Sequence, residues 1–122
     1  MKHILTLSIL LFSFVSSAAE PVKIWISSVQ DKQYYEEMVN RYKKIDPSFN
    51  AEISAFGFME MPDKLSVAMK TGIGTPDIVQ LDEVVYSMFL RGPAPFLDLA
   101  DRVKKANIAK DFHPQRLALF SQ

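Results

Sequence analysis

Two adjacent carboxylates, Asp82 and Glu83, are the residues of this chain with the clearest potential for chemistry. They directly follow a short, mainly apolar run made of Ile78, Val79 and Leu81. Paired carboxylates can act as general acid and base, or they can accept hydrogen bonds from a ligand. Neither this pair nor the pair Glu36 and Glu37 has a candidate nucleophile or a third partner beside it. The sequence therefore favours binding over catalysis, and we expect no catalytic residues and no enzyme activity.

Composition excludes several other kinds of site. The chain has no cysteine, which rules out disulfides, thiolate metal sites and a cysteine nucleophile. Its two histidines, His3 and His113, are too few and too far apart for a histidine metal cluster. The 14 basic residues balance 14 acidic ones and do not form the positive clusters of a nucleic-acid-binding surface. We therefore expect no metal, no cofactor and no nucleic-acid partner.

The amino terminus has the three parts of a secretory signal peptide. A basic start containing Lys2 precedes an apolar run over residues 4–15, and small residues follow it. Ser17 and Ala19 suit the small-residue positions of a cleavage site after Ala19. The alternative is an uncleaved membrane anchor, but the apolar run is shorter than the roughly 20 residues that span a bilayer. The pattern predicts an exported mature chain that begins at Glu20.

Hydrophobic patterns predict three strands in the mature chain. Val22–Ile26 is β-branched and aromatic, and residues 50–56 alternate between apolar and polar side chains. The apolar run at residues 78–81 is typical of a strand that is covered on both faces. Asp82 and Glu83 then lie at the carboxyl end of the third strand, where open α/β sheets bind ligands.

Helices are predicted between and after these strands. Tyr35, Met38, Val39 and Tyr42 recur at helical spacing, and Leu65, Ala68 and Met69 form a second apolar face. Gly72 and Gly74 can adopt positive φ and end the second helix, and Pro76 prevents its resumption. Further helices are predicted after Asp82, over residues 98–106 and from Pro114.

This alternation predicts an α/β fold with a parallel sheet between two layers of helices. Strand, helix and strand form right-handed βαβ units at this spacing. If the spatial order of the strands is 2-1-3, the segments that leave the three strands meet on one rim. These segments are residues 27–30, 56–59 and 82–83.

Four segments of the mature chain together resemble a known family: VKIWIS, YYEEMVNRYKKIDP, KLSVAMKTGIGTPDIVQLD and GPAPFLDLADRV. In this order, behind a signal peptide, they are similar to the amino-terminal lobe of the extracellular solute-binding proteins of sugar-uptake ABC transporters. That family includes the maltose- and oligosaccharide-binding proteins, and the third segment is the most specific of the four. The resemblance implies two α/β lobes that close on a sugar in the periplasm and present it to the permease subunits of the transporter.

Five ligand-binding residues are predicted, and the resemblance implies four of them, all except Phe58. Asp82 and Glu83 match the acidic position after the third strand, where a carboxylate can accept hydrogen bonds from two hydroxyls. Ser28 and Gln30 lie in the loop after the first strand, and Phe58 could stack on a sugar ring. Each has a structural alternative. Asp82 can cap the next helix, Ser28 and Gln30 can form a turn or cap, and Phe58 can pack beneath its loop.

Members of that family continue well beyond 122 residues. The resemblance therefore implies that residues 20–122, after a signal peptide at 1–19, form an incomplete first lobe of a periplasmic-binding-protein-like fold. We expect the carbohydrate-binding component of an ABC-type sugar importer in truncated form, or alternatively a non-functional or incomplete fragment of one. Because a partial lobe leaves a sheet edge and apolar helix faces uncovered, we expect the chain to be prone to aggregation.

Overall fold

The computed structural model describes residues 20–90 and 95–120. The predicted signal peptide lies outside these residues, as do Gly92, Pro93 and Ala94 of the predicted break after the third helix. Within the described ranges, no helix combines the length and the apolarity that crossing a bilayer requires.

Three parallel strands form one sheet, as the sequence predicts, and their order is β2-β1-β3. The strands are β1 (Val22–Ile26), β2 (Ala51–Ala55) and β3 (Ile78–Val79). Ile24 of β1 is in register with Ile53 on one side and with Ile78 on the other. Since all three strands run in the same direction, their carboxyl ends share one edge of the sheet.

Five helices accompany the sheet within the described part of the chain. They are α1 (Lys32–Tyr42), α2 (Met61–Thr71), α3 (Glu83–Met88), α4 (Ala100–Ala106) and α5 (Pro114–Leu119). A single 3-10 turn, Ala109–Asp111, separates α4 from α5. The alternation of strands and helices up to α3 confirms the predicted α/β class.

The apolar face of α1 is only partly covered. Tyr35 and Val39 are half-buried, whereas Met38 and Tyr42 are exposed. Burial raises the pKa of the Tyr35 hydroxyl, and the nearby Asp31 adds to this effect. Tyr42 is nevertheless held at the end of the helix, since its ring packs edge-on against Phe49 at a centroid distance of 4.7 Å.

A tight turn reverses the chain between α1 and β2. Asp46 Oδ1 accepts hydrogen bonds from Ser48 Oγ at 2.6 Å and from Ser48 N at 3.0 Å. These two bonds favour the charged carboxylate and so lower the pKa of Asp46. The Asp46-Pro47 pair was expected to stop this helix, but α1 ends earlier, at Tyr42, and Pro47 lies in the turn that follows.

The core lies between α2 and the sheet. Its buried apolar side chains come from β1, α2 and α3, and they are Ile24, Ile26, Met61, Leu65, Ala68 and Val85. The helix ends where predicted, because Gly72 adopts a left-handed conformation with φ of 68°. The Gly72 N–H donates to the Ala68 carbonyl oxygen at 2.8 Å, and this hydrogen bond closes the last turn of α2.

The prediction that the third strand is covered on both faces is wrong for Ile78, which is 53% exposed. The strand is also shorter than predicted, since its regular pairing with β1 covers only Ile78 and Val79. At its two ends, side-chain acceptors join the backbone hydrogen bonds. Asp77 Oδ2 accepts from Lys23 N at 2.8 Å, and Gln80 Oε1 accepts from Ser27 N at 3.3 Å. The regular part of β3 therefore has two residues, and a side-chain hydrogen bond to β1 lies at each of its ends.

Candidate functional site

A cleft of about 480 Å³ opens at the carboxyl edge of the sheet. The ends of β1 and β3, the first turn of α3, and one side of α5 form its walls. The lining residues are Ser27, Gln80, Leu81, Asp82, Glu83, Val84, Arg116 and Phe120. It is the place where the topology of a parallel sheet leads us to expect a ligand.

Gln80 holds the floor of the cleft together. Its backbone N–H donates to the Trp25 carbonyl oxygen at 2.8 Å, which continues the pairing of β3 with β1. Its side-chain oxygen accepts from Ser27 N at 3.3 Å, one residue beyond the end of β1. The two strand ends are therefore tied to each other below the cleft.

Asp82 has the geometry of a helix cap and also faces the cleft. It is the N-cap residue of α3, with an extended backbone, and its Oδ1 accepts from Val84 N at 3.0 Å. Its Oδ2 accepts no hydrogen bond from any described residue. One carboxylate oxygen thus stabilises the helix, while the other remains available to a ligand in the cleft. Asp82 can therefore act as a helix cap and as a ligand-binding residue at the same time.

Glu83 and Arg116 face each other across the mouth of the cleft. Arg116 Nη1 lies 3.5 Å from Glu83 Oε2, and both side chains are largely exposed. Their attraction is therefore screened by water and is worth no more than about 1 kcal/mol. This pair connects α5 to the start of α3.

An aromatic cluster positions α5 against α3. The Tyr86 ring lies 5.3 Å from Phe120 and 5.9 Å from Phe96, and Phe96 also packs edge-on against Phe89. Phe120 is still 43% exposed, so part of its ring is available at the cleft. A partly exposed ring of this kind can pack against the C–H face of a ligand.

The other three predicted site residues lie outside the lining of this cleft. Ser28 Oγ accepts from Asp31 N at 3.3 Å and lies 3.4 Å from Gln30 Oε1, so both residues take part in the turn that leads into α1. Phe58 is exposed in the loop before α2. The structure brings Asp82 and Glu83 together and places Ser28, Gln30 and Phe58 elsewhere on the same rim. The roles of all five in binding stay predictions.

Four polar or aromatic residues of the cleft were not among the predicted site residues: Ser27, Gln80, Arg116 and Phe120. The sequence did contain a feature that could have identified Gln80, since it is a polar residue inside an otherwise apolar strand segment. No such feature identified Arg116 and Phe120, because their position at the cleft depends on how α5 packs against α3.

A second depression lies against α2 and is mainly apolar. Trp25 and Phe56 form its floor, with ring centroids 5.0 Å apart in an edge-on arrangement. Lys64 Nζ lies 5.1 Å from the Phe56 ring centroid and 3.4 Å from Glu60 Oε1. Lys64 therefore belongs to the surface of α2. With few polar groups, this depression is a weaker candidate for a specific site than the cleft.

The groups in the cleft suit a ligand with several hydroxyls. The free oxygen of Asp82 and the carboxylate of Glu83 can accept hydrogen bonds, and the Arg116 guanidinium can donate them. Phe120 offers an apolar surface beside these polar groups. This combination can recognise both the polar edge and the apolar face of one small molecule.

The chain is similar to a protein of Bacillus subtilis (strain 168) that is named an arabinooligosaccharide-binding protein. The two are 28% identical over 109 residues, which is 87% of this chain and 25% of the relative. The chain thus spans about a quarter of the length of the curated relative that it matches. No protein-family model and no solved structure gives a significant match.

Proposed function

We propose that this chain is a periplasmic carbohydrate-binding component of an ABC-type sugar importer and that residues 20–122 supply part of its first lobe. The similarity to an oligosaccharide-binding protein along 87% of the chain carries this proposal. The α/β fold with its three-stranded parallel sheet is compatible with such a lobe. In this proposal the partners are a sugar or an oligosaccharide and the permease subunits of the transporter.

The geometry of the cleft supports a carbohydrate as the ligand. Sugars present adjacent hydroxyls at their edges and C–H groups on their ring faces. The free Oδ2 of Asp82 and the Glu83 carboxylate can each accept from such hydroxyls, and the Phe120 ring can cover a C–H face. Because the cleft is open, we expect weak binding that leaves the sugar chemically unchanged.

Saccharides should change the amide chemical shifts of the cleft residues, and Asp82→Ser should weaken this binding at least about tenfold. A hydrogen bond to a charged group is worth about 1.5–3 kcal/mol, which corresponds to roughly tenfold or more in affinity. Serine caps helices about as well as aspartate, so α3 should stay intact in the variant. The measurement is a nuclear magnetic resonance titration of the isotope-labelled chain with arabino-, xylo- and galacto-oligosaccharides.

Asp101→Ser is the matched control for this titration. Asp101 is exposed in the first turn of α4 and does not line the cleft. The control should bind saccharides like the unaltered chain. If no saccharide of the panel shifts the amides of residues 80–84, the proposed sugar-binding function is wrong. If Asp101→Ser weakens binding as much as Asp82→Ser does, the cleft is not the site.

Export follows from the same proposal and can be tested separately. If residues 1–19 act as a signal peptide, mature protein recovered from the periplasm should begin at Glu20. Mass spectrometry of its amino-terminal peptide measures this directly. Replacing Ala19 by a bulky residue such as phenylalanine should block cleavage after position 19. Recovery of the chain with Met1 in the membrane fraction would instead indicate an uncleaved anchor.

A further inference from the structure

The charged groups of the cleft do not balance. Asp82, Glu83 and Arg116 line it, so two negative charges face one positive charge. Arg116 Nη1 is 3.5 Å from Glu83 Oε2, and this cation is therefore already partnered. Asp82 forms no ion pair with any described residue. A ligand that enters the cleft meets an excess of negative charge.

Two backbone donors at the cleft are also already in use. Val84 N donates to Asp82 Oδ1, and Ser27 N donates to Gln80 Oε1. An anionic group would have to displace these side chains before it could use those N–H groups.

We infer that the cleft selects uncharged over anionic saccharides and that the Glu83–Arg116 ion pair sets this selectivity by neutralising the cation that faces the ligand. The inference rests on the proposed function, since it concerns the ligand of the same site. A neutral sugar can accept a hydrogen bond from Arg116 and donate to Asp82 without a charge penalty. A uronic acid places its carboxylate near Asp82 and Glu83, where like charges repel.

Glu83→Gln tests the role of the ion pair. The substitution keeps the shape of the side chain, removes one negative charge and leaves Arg116 free for an anionic ligand. Two unit charges about 4 Å apart interact by about 1 kcal/mol in water, so we expect a gain in affinity for trigalacturonate of about fivefold or more. Because exposed charges are screened by salt, the gain should shrink as ionic strength rises.

Glu37→Gln is the matched control. Glu37 also pairs with an arginine, since its Oε1 lies 2.6 Å from Arg41 Nη2, and both residues are on α1 outside the cleft lining. The control changes the net charge of the chain by the same amount and also frees an arginine. It should leave the affinity for trigalacturonate unchanged. In the double variant that combines Glu83→Gln with Arg116→Gln, the gain in affinity for trigalacturonate should be lost.

Amide shifts of the cleft residues, titrated with arabinotriose, galactotriose and trigalacturonate, provide the readout. The inference is supported if trigalacturonate binds the unaltered chain more weakly than the better neutral probe and gains affinity in Glu83→Gln alone. It is overturned, with the proposed function intact, if trigalacturonate binds as tightly as the neutral probes or if Glu83→Gln behaves like Glu37→Gln. If no probe binds, the inference and the proposed function both fall.

Discussion

Replacing Met61 by alanine should lower the free energy of unfolding by about 2–5 kcal/mol. Met61 opens α2 and is 0% exposed, so loss of its side chain leaves a cavity in the core. Few apolar side chains are buried within the described chain, so each is a large share of the core. Urea unfolding followed by circular dichroism measures the change. If the free energy of unfolding of the unaltered chain is no larger than this decrease, the variant will be unfolded even without denaturant.

Met59→Ala is the control for this prediction. Met59 is the same residue type, only two positions earlier, but it is 78% exposed. Removing its side chain creates no cavity, so the free energy of unfolding should change by less than about 0.5 kcal/mol. Equal shifts of the urea midpoint in the two variants would show that α2 does not pack on the sheet through Met61.

Gly72→Ala should destabilise the chain by about 1–2 kcal/mol, which is the usual penalty for a residue with a side chain in the left-handed region. Gly72 has φ of 68°, and a Cβ there would meet nothing within 4 Å. The penalty therefore comes from the backbone conformation and not from a clash. Thermal or urea unfolding measures it. Gly72→Asn should recover part of the loss, because asparagine tolerates this conformation.

Gly57→Ala is the opposite case. Gly57 does not have a positive φ, and an added Cβ would lie 3.9 Å from Glu60 Cβ, an ordinary van der Waals distance. Alanine there also restricts the unfolded chain, so the variant should be as stable as the original or more stable by up to about 1 kcal/mol. A loss at Gly57 as large as that at Gly72 would argue against the left-handed end of α2.

Local patterns in the sequence were sufficient for most of the fold. The bounds of β1 match the apolar and β-branched segment, and the stop after α2 follows from the glycines at positions 72 and 74. The alternation of strands and helices predicts a parallel sheet with right-handed crossovers, but it leaves the strand order open. These features depend on short stretches of chain or on a general rule of chirality.

The candidate site was predictable only where it coincides with such a pattern. Asp82 and Glu83 could be placed at the cleft because they follow a strand. Arg116 and Phe120 could not, since the packing of Tyr86 on Phe120 brings α5 to α3 from far along the chain. The length of β3 was also missed. Side-chain hydrogen bonds of Asp77 and Gln80 to β1 lie at its two ends, and periodicity does not report them.

The uneven pairing of the sheet has a consequence for the order in which the chain folds. Five residue pairs join β1 to β2, whereas two join β1 to β3. The strands β1 and β2 are also closer along the chain, so closing the loop between them costs less entropy. We therefore expect β3 to join the sheet last and to detach first in local opening events. Since the floor and one wall of the cleft depend on β3, the cleft would be the last part of the described chain to form.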